Sequence, residues 1–312
     1  MRNPLLSIAN EMRPQATTYA GGAFNRLNMD WLMGRLSADM AMRFDIQTLR
    51  NRARDLVINN ASAAAVPAIF SENVVGKDGI CLQAKIESTR GAQNDTLNDQ
   101  IEDAWQRWGE VGTCTVDGRG SWVDVQRMIV EGEVVEGEVL IRMVRGFDNE
   151  FGFALDLLDP DQLDATYTVA AMPGSNRISM GIELNDWHRP VFYHLWTEHP
   201  SDPQQRIREK VPADQIIHLY VQRRPRQSRA VTWFAPVVVD LKMLGGYREA
   251  ELVAARTASA KMGFLTSSAD SGPPPEVNPN AGTNAVSWGA NPGEIEQLPT
   301  GYQFTPWDPQ HP

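Results

Sequence analysis

The stretch SRAVTWFAPVVVDLKMLGGYREAELVAARTASAKMGFL, Ser228 to Leu265, decides how this chain folds. Leu241, Leu244, Leu252, Ala255, Ser259 and Met262 recur at spacings of three, four or twice four, the period of one helical face. A strand-like start therefore leads through a turn into one long helix, from about Pro236 to Met262, of roughly seven turns. Its face is not a bulky Leu/Ile stripe, because Gly245, Gly246, Ala250, Ala254, Ala255, Ala258 and Ala260 keep it thin. A thin helix can pack closely against copies of itself, which makes Gly245, Gly246, Ala250, Ala254 and Ala258 the candidate subunit-packing positions.

Working back from this helix, the chain changes period. Between Gly137 and Val221 it alternates with period two, with candidate strands at Val139 to Val144, Phe153 to Leu158, Ile178 to Leu184, Val191 to Trp196 and Ile216 to Val221. Asp159-Pro160-Asp161, Pro173-Gly174 and Asn185-Asp186 punctuate them, the last as a hairpin turn. Before Gly137 the period is helical. Asp45 reads as the N-cap of a helix carrying Ile46, Leu49, Ala53, Leu56 and Val57 on one face. The alanine-rich Ala61 to Ala68 continues as helix, with a break expected near Pro67. Ile80, Leu82 and Ala84 alternate as a short strand, Leu97 to Trp108 form an amphipathic helix, and Ser121 to Asp124 form a capping box that starts another helix through Ile129. Residues 1–44 lack a strong period and read as an irregular arm. After the long helix, SSADSGPPPEVNPNAGTNAVSWGANPG is dense in Pro, Gly, Asn and Ser, and Glu294 to Phe304 alternates enough for a short strand or hairpin. The fold class is α+β: helices first, then a mainly antiparallel sheet, then one long helix and an irregular, β-containing end.

Composition narrows the function. At 312 residues, with 42% hydrophobic and 22% charged, the chain is globular in type and long enough for about two domains. No apolar run is long enough to span a membrane, and MRNPLLSIANEMRP is too polar for a secretory signal, so a cytoplasmic origin is expected. Cys81 and Cys114 lie far apart and read as reduced. The net charge of −10 argues against a tight, non-specific grip on nucleic acid, though not against weak, sliding contact.

Chemistry-bearing motifs are few. His188, His194 and His199 lack any metal-ligand spacing, and no metal or other cofactor is expected. Gly118-Arg119-Gly120-Ser121-Trp122 is a turn and helix cap rather than a nucleophile elbow. Glu131, Glu133, Glu136 and Glu138 could serve a carboxylate-dependent hydrolase but read as a solvated helix end and turn. Arg223, Arg224, Arg226 and Arg229 concentrate positive charge just before the long helix; they suit phosphate contact, a subunit interface or plain solvation. Lys242, Arg248, Arg256 and Lys261 extend that basic set along the helix. Trp105 and Trp108 suit core packing better than base stacking.

Taken in order, ARDLVINNASAAAVPAIFSENVVGKDGICLQA (Ala53 to Ala84), the Trp-rich helix, Glu136-Gly137-Glu138-Val139-Leu140, GIELNDWHRPVFYHLW (Gly181 to Trp196), VPADQIIHLY (Val211 to Tyr220) and the Arg-rich turn into WFAPVVVDLKMLGGYREAELVAARTASAKMGF resemble the portal proteins of lambda-type tailed bacteriophages. The resemblance implies a non-enzymatic structural subunit of a ring, usually a dodecamer, at one capsid vertex of the virion. Double-stranded DNA would pass through the ring without sequence specificity. Terminase large subunit, head-tail adaptors and capsid protein would be the partners. It also implies an arm at 1–44, a wing at 45–229, a stem helix at 230–265 and a clip at 266–312, with a second stem helix and crown expected beyond them. An enzyme using the acidic run and a small adaptor module are the competing readings.

Overall fold

The computed structural model describes residues 34–87, 93–203, 207–259, 263–267 and 302–306. Among them the fold is α+β. The helices are α1 (Ala38–Met42), α2 (Ile46–Asn59), α3 (Ala61–Val74), α4 (Asp95–Trp108), α5 (Trp122–Glu136) and α6 (Val238–Ser259). The strands are β1 (Glu138–Arg145), β2 (Phe153–Leu158), β3 (Arg177–Ser179), β4 (Ile182–Leu184), β5 (Pro190–Trp196), β6 (Arg208–Pro212), β7 (Ile216–Tyr220), β8 (Gly263–Ser267) and β9 (Tyr302–Pro306). They fall into two compact units: the described parts of Met1–Gln47 with Asp161–Ala230, and those of Thr48–Pro160 with Val231–Pro312.

In the second unit α3 packs on α5, and Ala53, Leu56, Ala63, Val134, Phe234 and Val238 form the buried cluster. Phe70 meets Trp233 edge to face at 5.2 Å between ring centroids, closing one side of it. Asn60 caps α3 by accepting from the amides of Ser62 and Ala63, and the helix runs on through Pro67 without the expected break. Proline forfeits one helical hydrogen bond, but Pro67 is buried and packing holds the helix on both sides of it. The expected capping box opens α5: Ser121 Oγ accepts from the Asp124 amide and Asp124 accepts from the Ser121 amide. The helix extends well past Ile129, and Gly137 ends it at φ 88°. A Cβ there would lie 2.2 Å from the Val231 carbonyl carbon, so only glycine fits. β1 and β2 then pair antiparallel, Leu140 opposite Leu158 and Arg145 opposite Phe153. Trp105, Trp108 and Trp122 stack within 5.0–5.7 Å of one another, and Trp108 Nε1 donates to the Phe153 carbonyl.

The strand expected at Ile80 to Ala84 does not form. Side chains rather than a neighbouring strand satisfy this backbone: Gln126 brackets Ile80, accepting from its amide and donating to its carbonyl, Glu102 accepts from the Ala84 amide and Asn98 from the Ile86 amide. Alternation alone could not reveal those partners, which lie on helices downstream.

In the first unit β3, β4, β5 and β6 form an antiparallel sheet in sequence order. The single expected strand Ile178 to Leu184 is two, folded back at Met180-Gly181. Gly181 has φ 86° and a Cβ would meet the Asp164 carbonyl oxygen at 2.9 Å, so the turn requires glycine. β6 carries charges at Arg208, Glu209 and Lys210, which hid it from a hydrophobic pattern. The expected arm is partly structured: α1 is capped by Ser37, and Asp39 within it is buried. At the far end of α6, Gly263 to Leu265 belong to β8, paired with β9, rather than to the helix. Among the described residues no helix is long and apolar enough to cross a membrane.

Candidate functional site: the basic turn and the long helix

The residues leading into α6 fold into a polar knot. Asp39 Oδ1 accepts from the Ser228 amide at 2.9 Å, and its Oδ2 from the hydroxyls of Ser228 and Ser179, each at 2.7 Å. Gln227 Oε1 accepts from the amides of Arg223 and Arg224, its Nε2 donates to the Arg229 carbonyl, and Tyr220 Oη donates to the Gln227 carbonyl. A buried acid, serine and glutamine thus satisfy the backbone of a turn that has no regular structure.

This knot separates the four arginines. Arg223, Arg224 and Arg226 are exposed, with Arg226 in the left-handed region at φ 61° and Arg224 Nη2 donating to the Leu36 carbonyl. Arg229, grouped with them in the sequence as a channel or interface residue, is instead fully buried, and its Nη1 donates to the carbonyls of Leu163 and Met180 at 2.9 and 3.3 Å. The cause is simple: the carbonyls of two buried residues, Leu163 and Met180, need a donor that water does not supply there, and a guanidinium supplies several.

Among the described residues the long helix joins the buried cluster at its base. Val238 is buried and Leu241 half-buried against the cluster of Phe234, Ala53 and Leu56. Above them Met243, Leu244, Tyr247, Leu252 and Val253 are all exposed, Met243 at 70%. Gly245 and Gly246 face open space on the Cβ side, and Ala250 is exposed while Ala254 is half-buried. Lys242, Arg248 and Arg256 are exposed on the same helix. Lys261 lies outside the described residues, and the side chain of Ala258 is likewise outside them. Helix-period reading found the small positions but understated the large ones: the exposed set Val239, Met243 and Tyr247 repeats every four residues and was legible in the sequence.

The acidic run is solvated only in part: Glu131 is exposed as expected, while its later members turn inward. Glu138 is fully buried and accepts from Arg50 Nη2 at 2.7 Å, while Glu136 accepts from Arg54 Nε at 2.8 Å and lies 3.2 Å from Arg50 Nε without hydrogen-bond alignment. Arg54 also donates to Asp159. Burial pushes the Glu136 carboxyl up against the pull of Arg54 and Arg50. Glu136 and Glu138 therefore act as ion-pair partners of Arg50 and Arg54 within the fold. The histidines have separate partners: His194 faces Glu183 at 3.4 Å, and its imidazole is pushed down by burial, His199 bonds Ser201 at 2.6 Å, and His188 sits in the β4–β5 turn at φ 61°.

A sequence profile described as phage portal protein, lambda family, matches residues 24–312. The chain belongs to that family. A probable portal protein of Halomonas phage phiHAP-1 is 33% identical over 296 residues, covering 92% of this chain and 57% of the relative. The chain thus spans a little over half the length of that portal protein. Solved structures of the neck of a native GTA particle computed with C12 symmetry and of an empty one computed with C6 symmetry align at 12% and 13% identity, each with a TM-score of 0.48. The alignments cover 84% and 90% of this chain and 61% and 66% of theirs. Portal proteins, the family to which this chain belongs, are structural components of the virion.

Proposed function

We propose that this portal chain assembles with copies of itself into a closed ring at one capsid vertex, through which double-stranded DNA is packaged and later ejected. The observation that carries this is α6, joined to the core at its base and displaying large apolar side chains to water from Val239 to Val253, about 21 Å of helix. Such a helix is stabilised by neighbours, and a repeated head-to-tail contact that closes makes a ring. On this reading α6 is the stem helix within 230–265, residues 45–229 form the wing and 266–312 the clip. Terminase large subunit, head-tail adaptors and capsid protein dock on the ring's outer surfaces. The exposed Arg223, Arg224 and Arg226, with Lys242, Arg248 and Arg256, provide weak phosphate contacts or subunit contacts on a chain whose net charge is −10. That excess of acid suits a passage that lets DNA slide. The chain is made in the host cytoplasm and ends in the virion.

Negative-stain electron microscopy of the purified chain tests the proposal directly. Rings with a central hole about as wide as duplex DNA are expected. A chain that stays monomeric at every concentration would overturn it.

A further inference from the structure

A surface around the β4–β5 turn shares only Arg226 with the basic set already described. Trp187 at its tip is 85% exposed, yet the backbone that presents it is fixed: Asn185 Oδ1 accepts from the amides of Trp187 and Arg189, and the Asn185 carbonyl accepts from the His188 amide. Beside the tip lies an open cleft of about 280 Å³ lined by Leu184, His188, Tyr193, His218, Tyr220 and Arg226, among others, with no carboxylate in its lining. Two of the three non-glycine residues with positive φ among the described residues, His188 and Arg226, line this cleft. A rigid, exposed tryptophan, set between Asp186 and Arg189 on the turn and beside an aromatic-lined cleft whose one guanidinium is Arg226, has the make-up of an interface anchor, where Trp, Tyr and Arg carry most of the binding energy.

The complementary surface is on the same chain. Helix α4 displays Asp95, Asp99 and Asp103, all exposed and spaced every four residues on one face. Like charges at that spacing destabilise an isolated helix, and none of the three has an ion pair among the described residues. A cation from elsewhere relieves them.

We infer that the Trp187 turn and its cationic cleft on one copy dock against the Asp95–Asp99–Asp103 face of α4 on the next copy. The contact is heterologous, cationic patch to acidic patch, as a ring requires. It rests on the self-assembly reading and adds a site to it: a second contact, away from α6, that sets the order of copies by charge.

A charge swap read by native mass spectrometry and sedimentation at low salt tests it. Asp99→Arg and Arg226→Asp should each raise the concentration needed for half-assembly by about tenfold or more, the loss of one anchor pair. Both changes in one chain should restore most of that loss. Trp187→Ala should weaken assembly comparably while leaving thermal unfolding unchanged, because the side chain it removes is already in water. Single variants that assemble like the parent, or a double variant no better than its worse parent, would overturn the contact and leave the ring standing. A parent chain that never self-associates would sink both. Assembly unaffected by these variants, with the turn protected from hydrogen exchange only when a different protein is present, would likewise reject a second copy as the occupant.

Discussion

Helices α5 and α6 are both built from valine, glutamate and glycine among polar residues, yet the fold treats them in opposite ways. The first has a reciprocal capping box at one end and an obligatory glycine at the other, and its last residue and the strand after it are tied to Arg50 and Arg54 inside the protein. The second touches the core through its first turn and leaves Met243, Tyr247, Leu252 and Val253 in water. Among the described residues one helix is closed at both ends by this chain, whereas the other displays most of its large apolar side chains; on the proposed ring reading, neighbouring copies cover them. Stability should therefore respond to changes around α5 and ignore changes along α6, while assembly should do the reverse.

The largest effect is expected where α5 hands over to β1. Glu138→Ala would take from Arg50, which is only 1% exposed, the carboxylate that accepts from its Nη2 at 2.7 Å. Removing one partner of a buried pair typically costs about 3–5 kcal/mol, and urea unfolding should show a loss of that order. A loss below about 1 kcal/mol would mean that water reaches Arg50 and that the α5 end is less closed than its geometry indicates.

Next comes the same contrast on the scale of a single turn. Arg229→Ala leaves the Leu163 and Met180 carbonyls with one donor fewer and should cost about 1–3 kcal/mol. Arg226→Ala, three residues away but exposed, should fall within about 0.5 kcal/mol. Equal effects in thermal or chemical unfolding would erase the distinction between buried and displayed arginines.

How far this was legible in the sequence depends on what held each element. The capping box at Ser121 and Asp124, the helical run before Trp108 and the strands after Gly137 were readable because their signals are local: a cap residue, a period, a turn. What escaped was held by distant partners. Glu136 and Glu138 look like surface charge until Arg50 and Arg54, more than 80 residues earlier, fold against them. Arg229 looks like its exposed neighbours until Leu163 and Met180 arrive. The segment at Ile80 to Ala84 alternates like a strand, but Gln126 and Glu102 take its backbone groups. Of the candidate assembly surface, the small residues of α6 and the basic turn were visible as types, whereas the exposed Trp187 beside its cleft depends on which way a hairpin tip faces, and no pattern encodes that.

The pH dependence of the α5 cap follows from one carboxylate. Hydrogen bonds from the Ser121 hydroxyl and then the Ser121 amide hold the Asp124 carboxyl below its ordinary value. A depressed carboxylate contributes stability that is present above the ordinary aspartate range and disappears as pH falls through its own lower value. Asp124→Ala should thus be less stable than the parent at neutral pH, by about 1 kcal/mol as for a lost cap, and the difference should close on acidification. A difference independent of pH would show that the cap works through shape and not through charge. Glu136 has the opposite sign: raised by burial, its contribution is fully present below the ordinary glutamate range and is lost as pH rises through its elevated value, so acid does not begin unfolding there.

The smallest effect on stability should come from α6, and its smallness is what makes it informative. Ala250 is exposed on the helix, and among the described residues nothing lies within 4 Å of a Cβ placed at Gly245 or Gly246. For Ala250→Trp, a substitution at an exposed position, the unfolding free energy should stay within about 0.5 kcal/mol of the parent. If the proposed ring packs through these small residues, the same side chain overfills the contact between copies, where overpacking costs about 1–3 kcal/mol at each interface. A ring repeats its contact at every subunit, so that penalty multiplies around the circle and native mass spectrometry should show folded monomers in place of rings. Normal rings from Ala250→Trp would mean that the small positions face away from the neighbour and that Met243, Tyr247 and Val253 carry the contact. A Tyr247→Ser variant would then be the one to fail in assembly with its stability intact.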